Sequence, residues 1–210
     1  MNPIQEAIAK NPSAVLIALS DVLPELLGQN SDAPRQTEIS PQLIDPEKQI
    51  EIVDGEVEIK EMAGARHGGI NTRLLLKIGN FVEEQNLGQI YGPDTTFVIG
   101  ENDRLPDIAF ISAERIPPEG EPEGKWMFAP DLAIEVVSPT DIYAKILKKI
   151  REYLNAGVKQ VWLIEPEFQT LTIYSPPMKS ETLTAEEELI CTEILPDFRL
   201  KLSDIFRQPK

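Results

Sequence analysis

Residues 131–164 constrain the fold of this chain more than any other segment. Asp131-Leu132-Ala133-Ile134-Glu135-Val136-Val137 is apolar nearly throughout, as expected of a strand covered on both faces. Ser138-Pro139-Thr140-Asp141 then opens a helix running to about Ala156, with Gly157 as its stop. Gln160-Val161-Trp162-Leu163-Ile164 is the next strand, so the segment reads as strand–helix–strand, the connection that parallel neighbours need. One acid, Glu135, sits inside the first strand. An ionised carboxylate there is costly to bury unless a cation or hydrogen bonds compensate it.

The flanking segments extend the same architecture. Ile50-Glu51-Ile52-Val53 and Glu56-Val57-Glu58-Ile59-Lys60 alternate around Asp54-Gly55, a strong hairpin signal. Ile70, Leu74, Ile78, Phe81 and Val82 recur at helical spacing up to Leu87, and Gly88 ends that helix. Thr96-Phe97-Val98-Ile99 and Ile108-Ala109-Phe110-Ile111 read as short strands, the second following Leu105-Pro106-Asp107. A hairpin from Trp162 to Tyr174 turns at Pro166-Glu167-Phe168-Gln169, and residues 183–195 supply a further strand. The order predicts an α/β fold, a mixed β-sheet flanked by helices. Residues 1–28 carry helical apolar spacing broken by Pro12 and Pro24, and a polar linker follows. The reading is therefore an N-terminal helical appendage and linker over 1–45 and a main domain over 46–210.

Composition narrows the chemistry. Cys191 is the only cysteine and His67 the only histidine, which excludes an intrachain disulfide, thiolate metal clusters and paired-histidine zinc sites. A Ser-His-Asp triad remains only if His67 serves it, so hydrolytic chemistry must rest mainly on carboxylates and lysine. No apolar run is long enough to span a bilayer, and the N-terminus lacks the basic region of a secretory signal. The expectation is a cytoplasmic protein without a membrane partner. The formal net charge of -15 discourages non-specific contact with nucleic acid.

Two carboxylates stand out as a pair. Asp107 lies at the entrance to a strand, and Glu135 lies within one. Oxygen ligands from two adjacent strands are what Mg²⁺ accepts, with water completing its octahedron. Such a cation can lower the pKa of a bound water and neutralise charge on a phosphate. In the helix over 141–156, Ile142, Ile146, Leu147, Ile150 and Leu154 define the buried stripe. At about 100° per residue, Lys145 and Lys149 fall on its border, one turn apart. Either lysine can run its stem along the core and bring an ammonium to the sheet edge. On residue type alone, pairing with Arg104 is the preferred reading of Asp107. Removing one acid from a cluster of acids should leave the metal-free fold as stable or more so.

Pro106-Asp107 followed by Glu135-Val136-Val137 resembles the PD-(D/E)XK nuclease pattern, with Val137 in place of the usual lysine. The wider run resembles the Uma2 family of that superfamily. It comprises Val53-Asp54-Gly55-Glu56, His67, Leu105 to Phe110, Pro130 to Asp141, Lys149 to Val158 and Val161 to Pro166. The resemblance covers roughly residues 48–176. It implies a restriction-endonuclease-like fold and a Mg²⁺-dependent endonuclease, with Mn²⁺ as a substitute ion and DNA as substrate. It implies Asp107 and Glu135 as metal ligands, with the Val136 carbonyl as a further one. Lys149, in a Lys-x-x-x-Tyr setting with Tyr153, takes the catalytic lysine's role ahead of Lys145.

Three accessory residues remain, Glu56, His67 and Lys145. Glu56 either adds a carboxylate to the site or is an exposed hairpin residue. His67 either contacts phosphate or, as preferred here, caps the helix at Ile70 or is simply exposed. Ser138 reads as a turn or cap residue, and Tyr153 and Trp162 as core. Lys145, Lys148, Lys149, Arg151 and Lys159 face only Glu152 between residues 145 and 159. This local basic patch offsets the acidic total, and a homodimer would double it. The alternative is a non-catalytic binding or dimerising module that keeps the fold. A carboxylate-only nuclease of the ribonuclease-H sort would need more converging acids and no lysine.

Overall fold

The computed structural model describes residues 49–60 and 64–207. The expected N-terminal appendage and its boundary near residue 45 lie outside the described residues. Strands β1 (Gln49–Val53) and β2 (Glu56–Lys60) form the expected hairpin, with Asp54 and Gly55 at φ +53° and +78°. Helix α1 (Ala65–Glu84) starts five residues before Ile70, so His67 lies in its first turn. Its buried face is His67, Ile70, Asn71, Leu74, Ile78 and Val82. The burial of that stripe outweighs the poor helix propensity of Gly68 and Gly69.

Three short strands follow, β3 (Gly88–Tyr91), β4 (Phe97–Ile99) and β5 (Asn102–Arg104), and then β6 (Ile108–Ser112). The expected helix stop at Gly88 is not observed, because α1 ends at Glu84 with Gln85 as its C-cap. Gly88 instead opens β3 at φ +149°, where an added Cβ would lie 2.0 Å from the Ile111 carbonyl oxygen. Strand β7 (Leu132–Val136) leads into helix α2 (Tyr143–Asn155) and β8 (Gln160–Glu165). The N-cap of α2 is Ile142, without a side-chain cap. The anticipated Ser138–Asp141 cap is instead a turn, closed by the Ser138 N–H donating to Asp141 Oδ2 at 2.7 Å. The remaining elements are β9 (Thr170–Ser175), β10 (Lys179–Thr184), β11 (Glu188–Cys191), β12 (Phe198–Lys201) and α3 (Ser203–Phe206).

The main sheet has the order β10-β9-β8-β7-β6-β3, with β7 and β8 parallel and every other pair antiparallel. This is the mixed α/β sheet expected from the strand–helix–strand run. A second sheet, β2-β1-β5-β4, is antiparallel throughout, and β11 pairs with β12 alone. Cores form on both faces of the main sheet. One holds Leu74 and Ile78 of α1 against Ile108, Ile134 and Trp162. The other holds Ile150 and Tyr153 of α2 against Ala109, Ala133 and Leu163. Side chains alternate faces along a strand, so Glu135, two positions from Ala133, points to the α2 side. Ile108 pairs with Ile134, and one step back along that antiparallel register sets Asp107 opposite Glu135 on the same face.

Candidate active site

An open pocket lies where the carboxyl end of β7, the hairpin β1–β2 and helix α2 meet. Glu51, Lys60, Asp107, Glu135 and Lys149 line it, with Lys145 toward the rim. Asp107 is 2% exposed and Glu135 is 9% exposed. Asp107 does not pair with Arg104. Its Oδ1 takes Lys60 Nζ at 2.8 Å, and its Oδ2 takes the Val136 N–H at 2.8 Å and lies 3.1 Å from His67 Nε2. Burial pushes the Asp107 carboxyl up, but the His67 hydrogen bond and the Lys60 ammonium outweigh it and hold the group well below the usual carboxylate range. The same pairing raises His67 against its own burial.

Glu135 behaves in the opposite sense. Its Oε1 accepts the Tyr153 hydroxyl at 2.8 Å and lies 2.9 Å from Lys149 Nζ. Burial nevertheless dominates, and the charge of Asp107 adds to it, so the Glu135 carboxyl titrates above its ordinary value despite Lys149. Burial also disfavours the Lys149 ammonium, but Glu135 and Glu51 more than compensate and its pKa is raised. Both oxygen sets face one pocket from adjacent strands. Among the described residues no group of three His, Cys, Asp or Glu side chains converges to hold a metal ion. The carboxylates of Asp107 and Glu135 are hard oxygen donors, the kind that a cation such as Mg²⁺ takes.

The accessory residues sort differently from the sequence reading. His67 neither caps a helix nor lies exposed; it is buried against Asp107, because α1 begins early enough to turn it inward. Glu56 is exposed at the hairpin tip and does not line the pocket. Lys145 is largely exposed and pairs with Glu58 at 2.9 Å, whereas the Lys149 side chain is only 13% exposed. Tyr153 is core, as read, but its hydroxyl also reaches the site. The expected basic patch is largely neutralised. Lys145 meets Glu58, Lys148 meets Asp54, Lys149 meets Glu51 and Glu135, and Lys159 meets Asp131. Counting charge along the helix missed the acids that the β1–β2 hairpin and β7 segment bring to it.

Two site residues escaped the sequence reading. Glu51 is 6% exposed and reaches Lys149 Nζ at 2.8 Å. Lys60 reaches Asp107 from the neighbouring strand. In Gln49–Val53 the apolar alternation puts Ile50 and Ile52 on the nominal core face, yet Glu51 and Val53 are the more buried pair. Buried Arg104, 4% exposed, needs an acid inside the fold, but its burial is itself set by the tertiary structure and left no signal in the sequence.

A family model described as "Putative restriction endonuclease", Uma2, matches residues 36–203. Among solved structures, the chain resembles a protein from Anabaena variabilis described as a putative nuclease. That likeness has 26% identity and a TM-score of 0.73, covering 82% of this chain and 98% of the other. No curated protein matches.

Proposed function

The chain belongs to the Uma2 family, and we propose that it is a divalent-cation-dependent nuclease cleaving phosphodiester bonds in DNA. The observation that carries this reading is the meeting of Asp107, Glu135 and Lys149, from three separate elements, in one buried-walled pocket. Asp107, Glu135 and the Val136 carbonyl would hold Mg²⁺, with Mn²⁺ able to replace it. Such a cation supplies Lewis acidity toward a phosphate oxygen and lowers the pKa of a bound water.

The chain's own groups perform the remaining tasks. Lys60, His67 and the Val136 N–H keep Asp107 ionised and fixed in orientation. The Tyr153 hydroxyl fixes Glu135 Oε1. The Lys149 ammonium stands beside Glu135, where it can orient the attacking water and meet negative charge growing on the phosphate. The neutralised rim weakens the electrostatic draw on a duplex, so action as a homodimer, with two surfaces on one DNA, belongs to the same proposal. Among the described residues no helix is long and apolar enough to cross a membrane.

The test is single-turnover cleavage of duplex DNA, single-stranded DNA and RNA with Mg²⁺, Mn²⁺ or chelator, alongside Glu135→Gln. DNA cleavage that needs the cation and disappears in the variant is the expected result. Cleavage that survives chelation, or equal activity in Glu135→Gln, removes the proposal.

A further inference from the structure

Glu51 faces the pocket from β1 and has no part in the chemistry proposed so far. The Leu105 N–H donates to its Oε1 at 3.0 Å, and Arg104 Nη1 donates to its Oε2 at 2.9 Å. Arg104 is itself held on α2, because its Nε donates to Glu152 Oε2 at 3.0 Å. The Glu51 carboxylate therefore has one oxygen fixed by a backbone amide and the other by a guanidinium. Its rotation is blocked at both ends.

That fixed Oε1 lies 2.8 Å from Lys149 Nζ, and Glu135 Oε1 lies 2.9 Å from the same nitrogen. An ammonium has three donors, and two of Lys149's are spent on these acids. A lysine side chain regains rotamer freedom when released, so an ammonium without an anchored partner tends to leave its site. Glu135 is an unsuitable anchor for chemistry, because a cation on its oxygens competes for their lone pairs and repels the ammonium. Glu51 is not in that position. Its oxygens are oriented by groups from β5 and the segment after it.

We propose that Glu51 is a positioning residue whose clamped carboxylate holds the Lys149 ammonium in the pocket, leaving lone pairs of Glu135 available to a divalent cation. The inference rests on the role given to Lys149 above, and its first readout does not depend on cleavage.

The full-length protein is labelled with ¹⁵N-lysine, and the side-chain ammonium signal of Lys149 is identified by its loss in Lys149→Met. In the wild type this signal should persist when Mg²⁺ is added to saturation. In Glu51→Gln it should broaden away, while in Glu58→Gln, which removes an acid paired with Lys145 and touches neither Lys149 nor the Arg104 clamp, it should remain. Glu51→Gln should also lower single-turnover cleavage on the order of 10²-fold, the scale for losing an electrostatic stabiliser, with KM unchanged. On a Lys149→Met background it should cost nothing further.

A Lys149 signal that vanishes from the wild type on adding Mg²⁺ overturns the proposal, and this arm needs no variant to fold. A signal retained in Glu51→Gln, one lost equally in Glu58→Gln, or additive losses in the double variant also overturn it. If Lys149→Met cleaves as the wild type does, the lysine mechanism fails, and the ammonium signal still reports separately whether Glu51 holds Lys149.

Discussion

Replacing Asp107 by alanine should destabilise the metal-free protein, the reverse of what relief of repulsion among acids predicts. Asp107 is not repelled on balance. It accepts the Val136 N–H and pairs with Lys60 and His67. Alanine leaves the Val136 amide without its acceptor, at a cost of about 1–3 kcal/mol. Removing one partner of a buried charge pair costs about 3–5 kcal/mol. Lys60 is 24% exposed and can turn its ammonium to water, which recovers part of this. We expect a net loss of roughly 3–5 kcal/mol, which in a domain of this size lowers Tm by roughly 6–20 °C. The assay is reversible thermal and urea unfolding of metal-free wild type and Asp107→Ala, with Glu135→Gln beside them. Glutamine at 135 keeps an acceptor for the Tyr153 hydroxyl and removes a charge that burial disfavours, so its loss should be the smaller of the two. The pH dependence supplies an internal check. Asp107 titrates below its unfolded value when folded, so its contribution is present above about pH 3.9 and is lost as pH falls through the folded value. The gap between wild type and Asp107→Ala should therefore narrow in acid. A midpoint for Asp107→Ala at or above that of wild type at pH 7, or a gap that widens in acid, refutes the reasoning.

Lys149→Met should keep fold and cation binding but lose on the order of 10²-fold or more in single-turnover cleavage. Lys145→Met should cost far less and act through substrate affinity, because its exposed ammonium pairs with Glu58 at the rim; an inactive Lys145→Met with an active Lys149→Met would reverse the assignment. Asp131 titrates below its ordinary range because the Ser112 N–H, Lys159 and Arg115 outweigh burial. Asp131→Asn should lower stability by roughly 1 kcal/mol at neutral pH, with the difference vanishing in acid as the wild-type carboxyl protonates, measured by urea midpoints across pH. Gly88→Ala should destabilise by roughly 2–5 kcal/mol, because its Cβ would meet the Ile111 carbonyl oxygen at φ +149°; an unchanged Tm would show that β3 can shift.

The sequence by itself determined the architecture around β7. Its apolar run, the helix that follows and the second apolar strand leave a parallel pair with a helix on one face as the consistent solution, and the odd acid within that run marked Glu135. Asp-Gly between alternating segments marked the β1–β2 hairpin for the same kind of reason, because turn geometry and burial periodicity act over a few residues. The second sheet, the early start of α1 and the short strands β3, β5, β10 and β12 were not legible. Their residues are held by partners far along the chain, and the pattern in KSETLT or NDR has no local preference strong enough to declare a strand. The same division runs through the site. Glu135 was visible as the odd acid in an apolar strand, whereas helical spacing brought Lys145 and Lys149 alike to the edge of the buried stripe, and the family resemblance alone favoured Lys149 and paired Asp107 with Glu135. Glu51 and Lys60 were not visible, His67 was named only as an accessory read as a cap or an exposed residue, and the neutralised rim was not legible either. Glu51 meets Lys149 across 98 residues and Lys60 meets Asp107 across 47. Charge pairing at such separations depends on which elements pack together, and only the tertiary structure decides that.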